Sequence, residues 1–244
     1  MKIDNFKTSN TVCLISGCNT TGTGFCAKFQ GKLYLITDSH VMFNRDRNTW
    51  YSPDFLLRFL NQELELPLQP VFRMDMTETE AFLSEDLDLC IIELSDVNVS
   101  KENGNIEITQ IDSFDLVNCD ISELWSKIVF FYGIPASLHI EAPFDFKPLL
   151  TKGVISAYDK GVDRFVTDIP VYYGNSGSPA FLVYEDGTAV LVGIVQQLIQ
   201  FNLEWKNRYE QEMTRMDWHN SGYSICRSVN TIITLITSGH ASKF

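Results

Sequence analysis

Gly174-Asn175-Ser176-Gly177-Ser178-Pro179 sets a serine between glycines at a tight turn, with strand-like sequence on either side. Such a turn can present a nucleophile and its oxyanion hole together. A serine hydroxyl attacking a carbonyl creates a negative oxygen, which backbone N–H groups must meet at hydrogen-bonding distance. The N–H groups of Gly174 and Ser176 are the candidates. Gly174 leaves room for a substrate's close approach, and glycine tolerates backbone angles that a β-carbon forbids. A glycine-rich loop with one serine is more often just a turn, so the reading depends on finding a base.

Four histidines are available, and His40 alone follows a strong apolar strand, Leu33-Tyr34-Leu35-Ile36, where that strand gives way to a polar turn. Upstream, Gly22-Thr23-Gly24-Phe25 starts a glycine-rich strand, and Gln30-Gly31 reads as the hairpin turn into Lys32. His139 lies in a loop, His219 in a polar stretch and His240 in the tail, so solvated positions are expected for all three. An imidazole base needs a carboxylate on its other nitrogen, to fix the tautomer and to stabilise the imidazolium formed when the serine proton moves. Asp88 opens the buried-looking strand Asp88-Leu89-Cys90-Ile91-Ile92 and is the preferred orienter. Asp86 is the rival, but its choice would carry Asp88 two residues into the same strand face as an unpaired charge.

With these blocks in the order His, Asp, Ser, the chain resembles the trypsin-like serine peptidases of the two-barrel chymotrypsin fold, especially their disulfide-free bacterial branch. The resemblance rests on Gly22-Thr23-Gly24-Phe25 with Ile36-Thr37-Asp38-Ser39-His40-Val41, on Asp88-Leu89-Cys90-Ile91-Ile92, and on Thr167-Asp168-Ile169 leading to Gly174–Pro179. It implies a serine endopeptidase with a His40, Asp88, Ser176 triad, an oxyanion hole from Gly174 and Ser176, and an acyl-enzyme intermediate. By the same matching, Pro170 is the floor of the specificity pocket and Gln196, Gln197 and Leu198 are its wall. No acid stands at that floor, so a basic residue before the scissile bond is disfavoured and a small or medium uncharged one is expected. A peptide substrate is expected to pair as an added strand along Gln196 to Leu198.

Three departures from the family pattern carry expectations of their own. Asp38 and Ser39 replace the two small apolar residues that usually precede the histidine; Asp38 can tune His40 electrostatically or point to solvent, and the solvent position is expected. Ser178 replaces a glycine, a change a small hydroxyl should allow. Asn175 stands where secreted relatives carry an aspartate that pairs with a newly cut N-terminus, so activity independent of N-terminal cleavage is expected.

Composition agrees with a sizeable core: 244 residues, 45% hydrophobic. Short strands with turn signals and little amphipathic helix point to an all-β chain of two antiparallel six-stranded barrels. The amino-terminal barrel is expected over residues 1–105 and the carboxy-terminal one over 106–244. One helix is expected at the end, capped by Ser228 and docked on the second barrel through Val229, Ile232, Ile233 and Ile236. A net charge of −12 opposes nucleic-acid binding. No apolar run is long enough to span a bilayer and no signal-like segment opens the chain, so a cytoplasmic location is expected. The six cysteines show no Cys-x-x-Cys and no zinc spacing, so neither metal, cofactor nor disulfide is expected. Ile199 to Gly222 reads as a long insert able to overhang the cleft and gate entry or receive a regulatory partner. An inactive binding module and a serine esterase are the alternatives that keep the same fold.

Overall fold

The computed structural model of the chain describes residues 11–59, 69–77, 79–104, 106–135, 148–206 and 213–239. The amino-terminal half contributes β1 (Val12–Gly17), β2 (Thr20–Phe29), β3 (Lys32–Thr37), α1 (Ser39–Met42), β4 (Phe43–Asn44), β5 (Thr49–Trp50) and β6 (Asp54–Phe59). It continues with β7 (Val71–Asp75), β8 (Ala81–Ser84), β9 (Leu89–Glu93), β10 (Val99–Asn103) and β11 (Phe114–Asp115). These form one sheet in the order β10-β7-β6-β1-β2-β3-β9-β8, with β11 added parallel to β2 and β4-β5 standing as a separate hairpin. Among the described residues this sheet forms a half-barrel, its path of strands running from β10 to β8 without a hydrogen-bonded ladder between those two ends. The carboxy-terminal half does close, as β12 (Ile128–Gly133), β13 (Leu149–Asp159), β14 (Arg164–Thr167), β17 (Met213–Ser228), β16 (Ala189–Lys206) and β15 (Pro179–Val183) in that order.

Turn chemistry explains the register. Gln30 and Gly31 both take positive φ, at 51° and 81°, the geometry of the two-residue hairpin that pairs Phe29 with Lys32. β6 alternates between half-buried and buried residues along Asp54–Phe59, the period-two signature of a strand with one face on the core. The segment read as a long insert is two arms of a ribbon. β16 and β17 stay paired beyond the barrel wall, from Gln200 with Asn220 out to Lys206 with Met213, because successive cross-strand pairs satisfy the backbone as they extend.

Among the described residues, three apolar clusters fill the molecule. One lies inside the first sheet around Leu35, Phe55, Phe59 and Phe72. Another fills the second barrel around Phe131, Phe165, Val192 and Val195. The third joins the halves, bringing Phe25 and Ile91 against Phe130, Phe181 and Ile194. The helix α2 (Val229–Thr237) packs into that third cluster and so staples both halves rather than the second alone. Ser228 caps it, its Oγ accepting from Asn230 N at 3.1 Å, and Val229, Ile232, Ile233 and Ile236 are its buried face. Each such aliphatic side chain, fully buried, contributes roughly 1.5–3 kcal/mol. All six cysteines are free thiols, and no helix among the described residues is long and apolar enough to cross a membrane.

Candidate active site

The site lies on the seam between the halves. β3 stops at Thr37, and the chain turns through Asp38 into the short α1, which carries His40. Asp88 occupies the left-handed region (φ 51°) at the turn before β9, a conformation Asp tolerates better than most residues. This turn aims the carboxylate back at α1. Its Oδ2 meets His40 Nδ1 at 2.8 Å, while Oδ1 accepts from His40 N at 3.1 Å and from Ser39 Oγ at 2.8 Å. Burial opposes the charge on Asp88, but the hydrogen bonds and charge of His40, with the Ser39 hydroxyl, outweigh it and hold the carboxyl below the usual range. With Nδ1 engaged, Nε2 is the nitrogen left to act as a base. Asp86 stays 94% exposed, with Arg45 Nη2 3.6 Å away.

The Ser176 loop is held from across the seam. Thr23 Oγ1 donates to Gly174 O at 2.6 Å, and Thr23 N donates to Ser176 O at 3.1 Å. Thr37 Oγ1 in turn donates to Thr23 O at 2.7 Å. Gly174 (φ 98°) and Gly177 (φ 86°) take angles that favour glycine. Within the loop, the N–H groups of Asn175, Gly177 and Ser178 are engaged by Tyr172 O, Val195 O and Asn175 O, whereas those of Gly174 and Ser176 have no acceptor among the described residues. Two unengaged N–H groups flanking a serine are what an oxyanion requires. The Ser178 hydroxyl fits because Gly133 faces it; a β-carbon there would fall 2.0 Å from Ser178 Oγ.

His40, Asp88 and Ser176 line one crevice of about 1010 Å³, together with Gln196, Gln197 and Leu198. Pro170 does not line it. The chain from Phe165 to Val171 alternates inward and outward, so Ile169 turns into the barrel core, Pro170 is exposed, and Val171 reaches the crevice in its place. Tyr172 and Tyr173, both exposed, stand at the same crevice. His219 is exposed on the ribbon and stacks on Phe201 at 5.7 Å, while His139 and His240 lie outside the described residues.

Asp38 is the largest correction to the sequence reading. It is 0% exposed, not solvated. Its carboxyl and the donor atoms of His40 and Asp88 lie within 4.8 Å of one another. Within this cluster Nδ1 of His40 and Oδ2 of Asp88 bond each other. Burial, and then the neighbouring Asp88, push the Asp38 carboxyl well above the usual range, partly offset by Gly177 N–H, the Gln196 carboxamide and Arg227. Gln196 also does more than line a wall. Its Nε2 donates to Leu87 O at 2.6 Å and to Asp88 O at 3.0 Å, tying β16 to the turn that carries Asp88. Nothing in the local sequence announces this reach of more than a hundred residues.

Residues 22–194 match the family model of the trypsin-like peptidase domain. No curated protein matches the sequence. Among solved structures, a Glu endopeptidase is similar at 12% identity with a TM-score of 0.58, over 95% of this chain and 91% of that one. Deg5 is similar at 16% identity and a TM-score of 0.54, over 93% and 88%. The HtrA-type protease AlgW is similar at 14% identity and a TM-score of 0.55, but the chain, although 98% covered, spans only 63% of its length. Identities this low speak for the fold alone.

Proposed function

The chain belongs to the trypsin-like peptidase family, and from that premise we propose that it is a serine endopeptidase working through His40, Asp88 and Ser176. The observation that supports this most is the fixed His40–Asp88 pair sharing one crevice with Ser176 on a loop with two unengaged N–H groups. His40 takes the proton from Ser176 Oγ as that oxygen attacks the substrate carbonyl, and Asp88 holds the ring and balances the imidazolium. The N–H groups of Gly174 and Ser176 receive the oxyanion. His40 then protonates the leaving amine, and water hydrolyses the acyl-enzyme by the same route.

The residue before the scissile bond is small or medium and uncharged. Val171, Val195 and Leu198 give the crevice apolar walls near Ser176. The peptide lies as an added strand along Gln196 to Leu198. Activity requires no new N-terminus, because Asn175 carries no charge to pair with one.

A fluorophosphonate probe and a peptide library test the reading together. The protein should label, and Ser176→Ala or His40→Ala should abolish labelling and lower kcat by several orders of magnitude. Unchanged turnover in Ser176→Ala would overturn the nucleophile, and efficient cleavage after arginine would overturn the preference. Ester turnover without peptide turnover would reassign the substrate class.

A further inference from the structure

Asp38 sits where relatives of this family resemblance carry a small apolar residue, and the structure gives it no ordinary structural role. It is fully buried, and the donors nearest its carboxylate, Gly177 N–H and the Gln196 carboxamide, are committed to Val195 O and to Leu87 O and Asp88 O, so neither oxygen has a well-formed hydrogen bond among the described residues. It caps nothing, for although it stands at the N-cap of α1 its side chain makes no cap hydrogen bond. A buried acid whose nearest donors are shared with other acceptors is unfavourable, and far more so when ionised. A rule of local consistency broken this plainly is expected where function compensates.

Its surroundings are specific. Asp88 faces it from the turn before β9 and His40 from α1, with donor atoms within 4.8 Å. Gln196 faces it from β16, Gly177 from the nucleophile loop, and Arg227 and Cys226 from β17. Arg227 is also anchored elsewhere, donating from Nη1 to Val162 O at 2.6 Å, and the Cys226 thiol is pushed up by burial and carries no charge. The group that Asp38 can influence most is therefore the His40–Asp88 pair itself.

We propose that Asp38 is a positioning residue of the catalytic site, a second carboxyl behind the His40–Asp88 pair that sets how firmly His40 holds the proton taken from Ser176. This rests on His40 being the base. While Asp38 keeps its proton, Asp88 is the single negative charge beside the imidazole. When Asp38 gives up its proton as pH rises, two carboxylates flank the imidazolium, and the transition state that carries that imidazolium gains stability.

The pH dependence of kcat/KM and an NMR titration of the His40 ring carbons test this. Wild-type kcat/KM rises with pH in two steps, the second of about tenfold, a difference of ~1.4 kcal/mol in the barrier. In Asp38→Asn, which is neutral and nearly isosteric, the second step is absent. The ring titration is recorded in the Ser176→Ala background, where no turnover occurs, and shows two inflections that reduce to one in Asp38→Asn. A single step in the wild type up to about pH 10, or superposable wild-type and Asp38→Asn curves, overturns the proposal. The wild-type measurements decide the matter even if Asp38→Asn fails to fold. Failure of the function reading looks different: Ser176→Ala would remain active while the two ring inflections persist.

Discussion

Thr23, on β2, holds the carbonyl of Gly174 at 2.6 Å through its hydroxyl, from 151 residues away. The same hydroxyl accepts from Ile134 N at 3.1 Å, so one small side chain joins the first sheet, the Ser176 loop and the exit of β12. Thr23→Val keeps the shape and removes both bonds, leaving a buried N–H unpaired. Stability should fall by about 1–3 kcal/mol, and kcat by about a hundredfold as the loop loses its register. Thr23→Ser should restore most of both. Thermal melts and steady-state kinetics of the two variants check this.

Gly177 and Gly31 both take positive φ, yet their substitution should differ sharply. A β-carbon at Gly177 would lie 2.0 Å from Thr23 O, whereas one at Gly31 meets nothing within 4 Å. Gly31→Ala should cost only the strain of a left-handed residue, about 1 kcal/mol. Gly177→Ala should displace the nucleophile loop and lose fluorophosphonate labelling, even in the fraction that folds.

Gly133 and Ser178 should behave as a coupled pair. Gly133→Ala drives a methyl group into Ser178 Oγ and should destabilise by about 1–3 kcal/mol. Ser178→Gly in the same molecule removes the clashing hydroxyl and should recover a measurable part of that loss. Additive denaturation midpoints in the double-mutant cycle would show that the two do not touch.

Asp38 and Asp88 should pull stability in opposite directions with pH. Asp88 is held below its ordinary value, so its contribution is present above the unfolded carboxyl value of 3.8 and lost as acid protonates it in the native state. Asp38 is held above its ordinary value, so the native state binds the extra proton. Its contribution is complete below 3.8 and is lost as pH rises toward its folded value. Asp88→Asn should therefore lower Tm near pH 7 more than near pH 4. Asp38→Asn should raise Tm near pH 7 and leave it nearly unchanged near pH 4. Melts of both variants across that range read the signs directly.

Local chemistry made much of this molecule legible. Gln30-Gly31 and Gly187 could be read as turns because few residues accept positive φ. The apolar runs of β9, β12 and β15 could be read as strands because their patterns hold within a few residues. The helix α2 was equally plain, with its cap and its apolar face lying inside ten residues. The partner of that face was not, because a periodic stripe states which side is buried and not what buries it. The strand order of the first sheet was hidden for a related reason, since it depends on pairing between strands distant in sequence. Pro170 and Val171 show the limit at single-residue scale: counting back from Ser176 gives a position, while the alternation of the chain decides which neighbour reaches the crevice.

Sequence alone determined which residues are chemically equipped: a serine in a glycine turn, a histidine at the end of an apolar strand, and an aspartate opening another. It did so because nucleophile, base and tight turn each demand particular residue types. Tertiary structure alone decided their electrostatic setting. Asp38 reads as a surface acid beside a polar turn, and becomes a buried acid only when the second barrel lays Gln196 and Gly177 over it. The physical reason is that charge and dielectric at a site are set by everything packed around it, and most of what surrounds Asp38 arrives from more than a hundred residues along the chain.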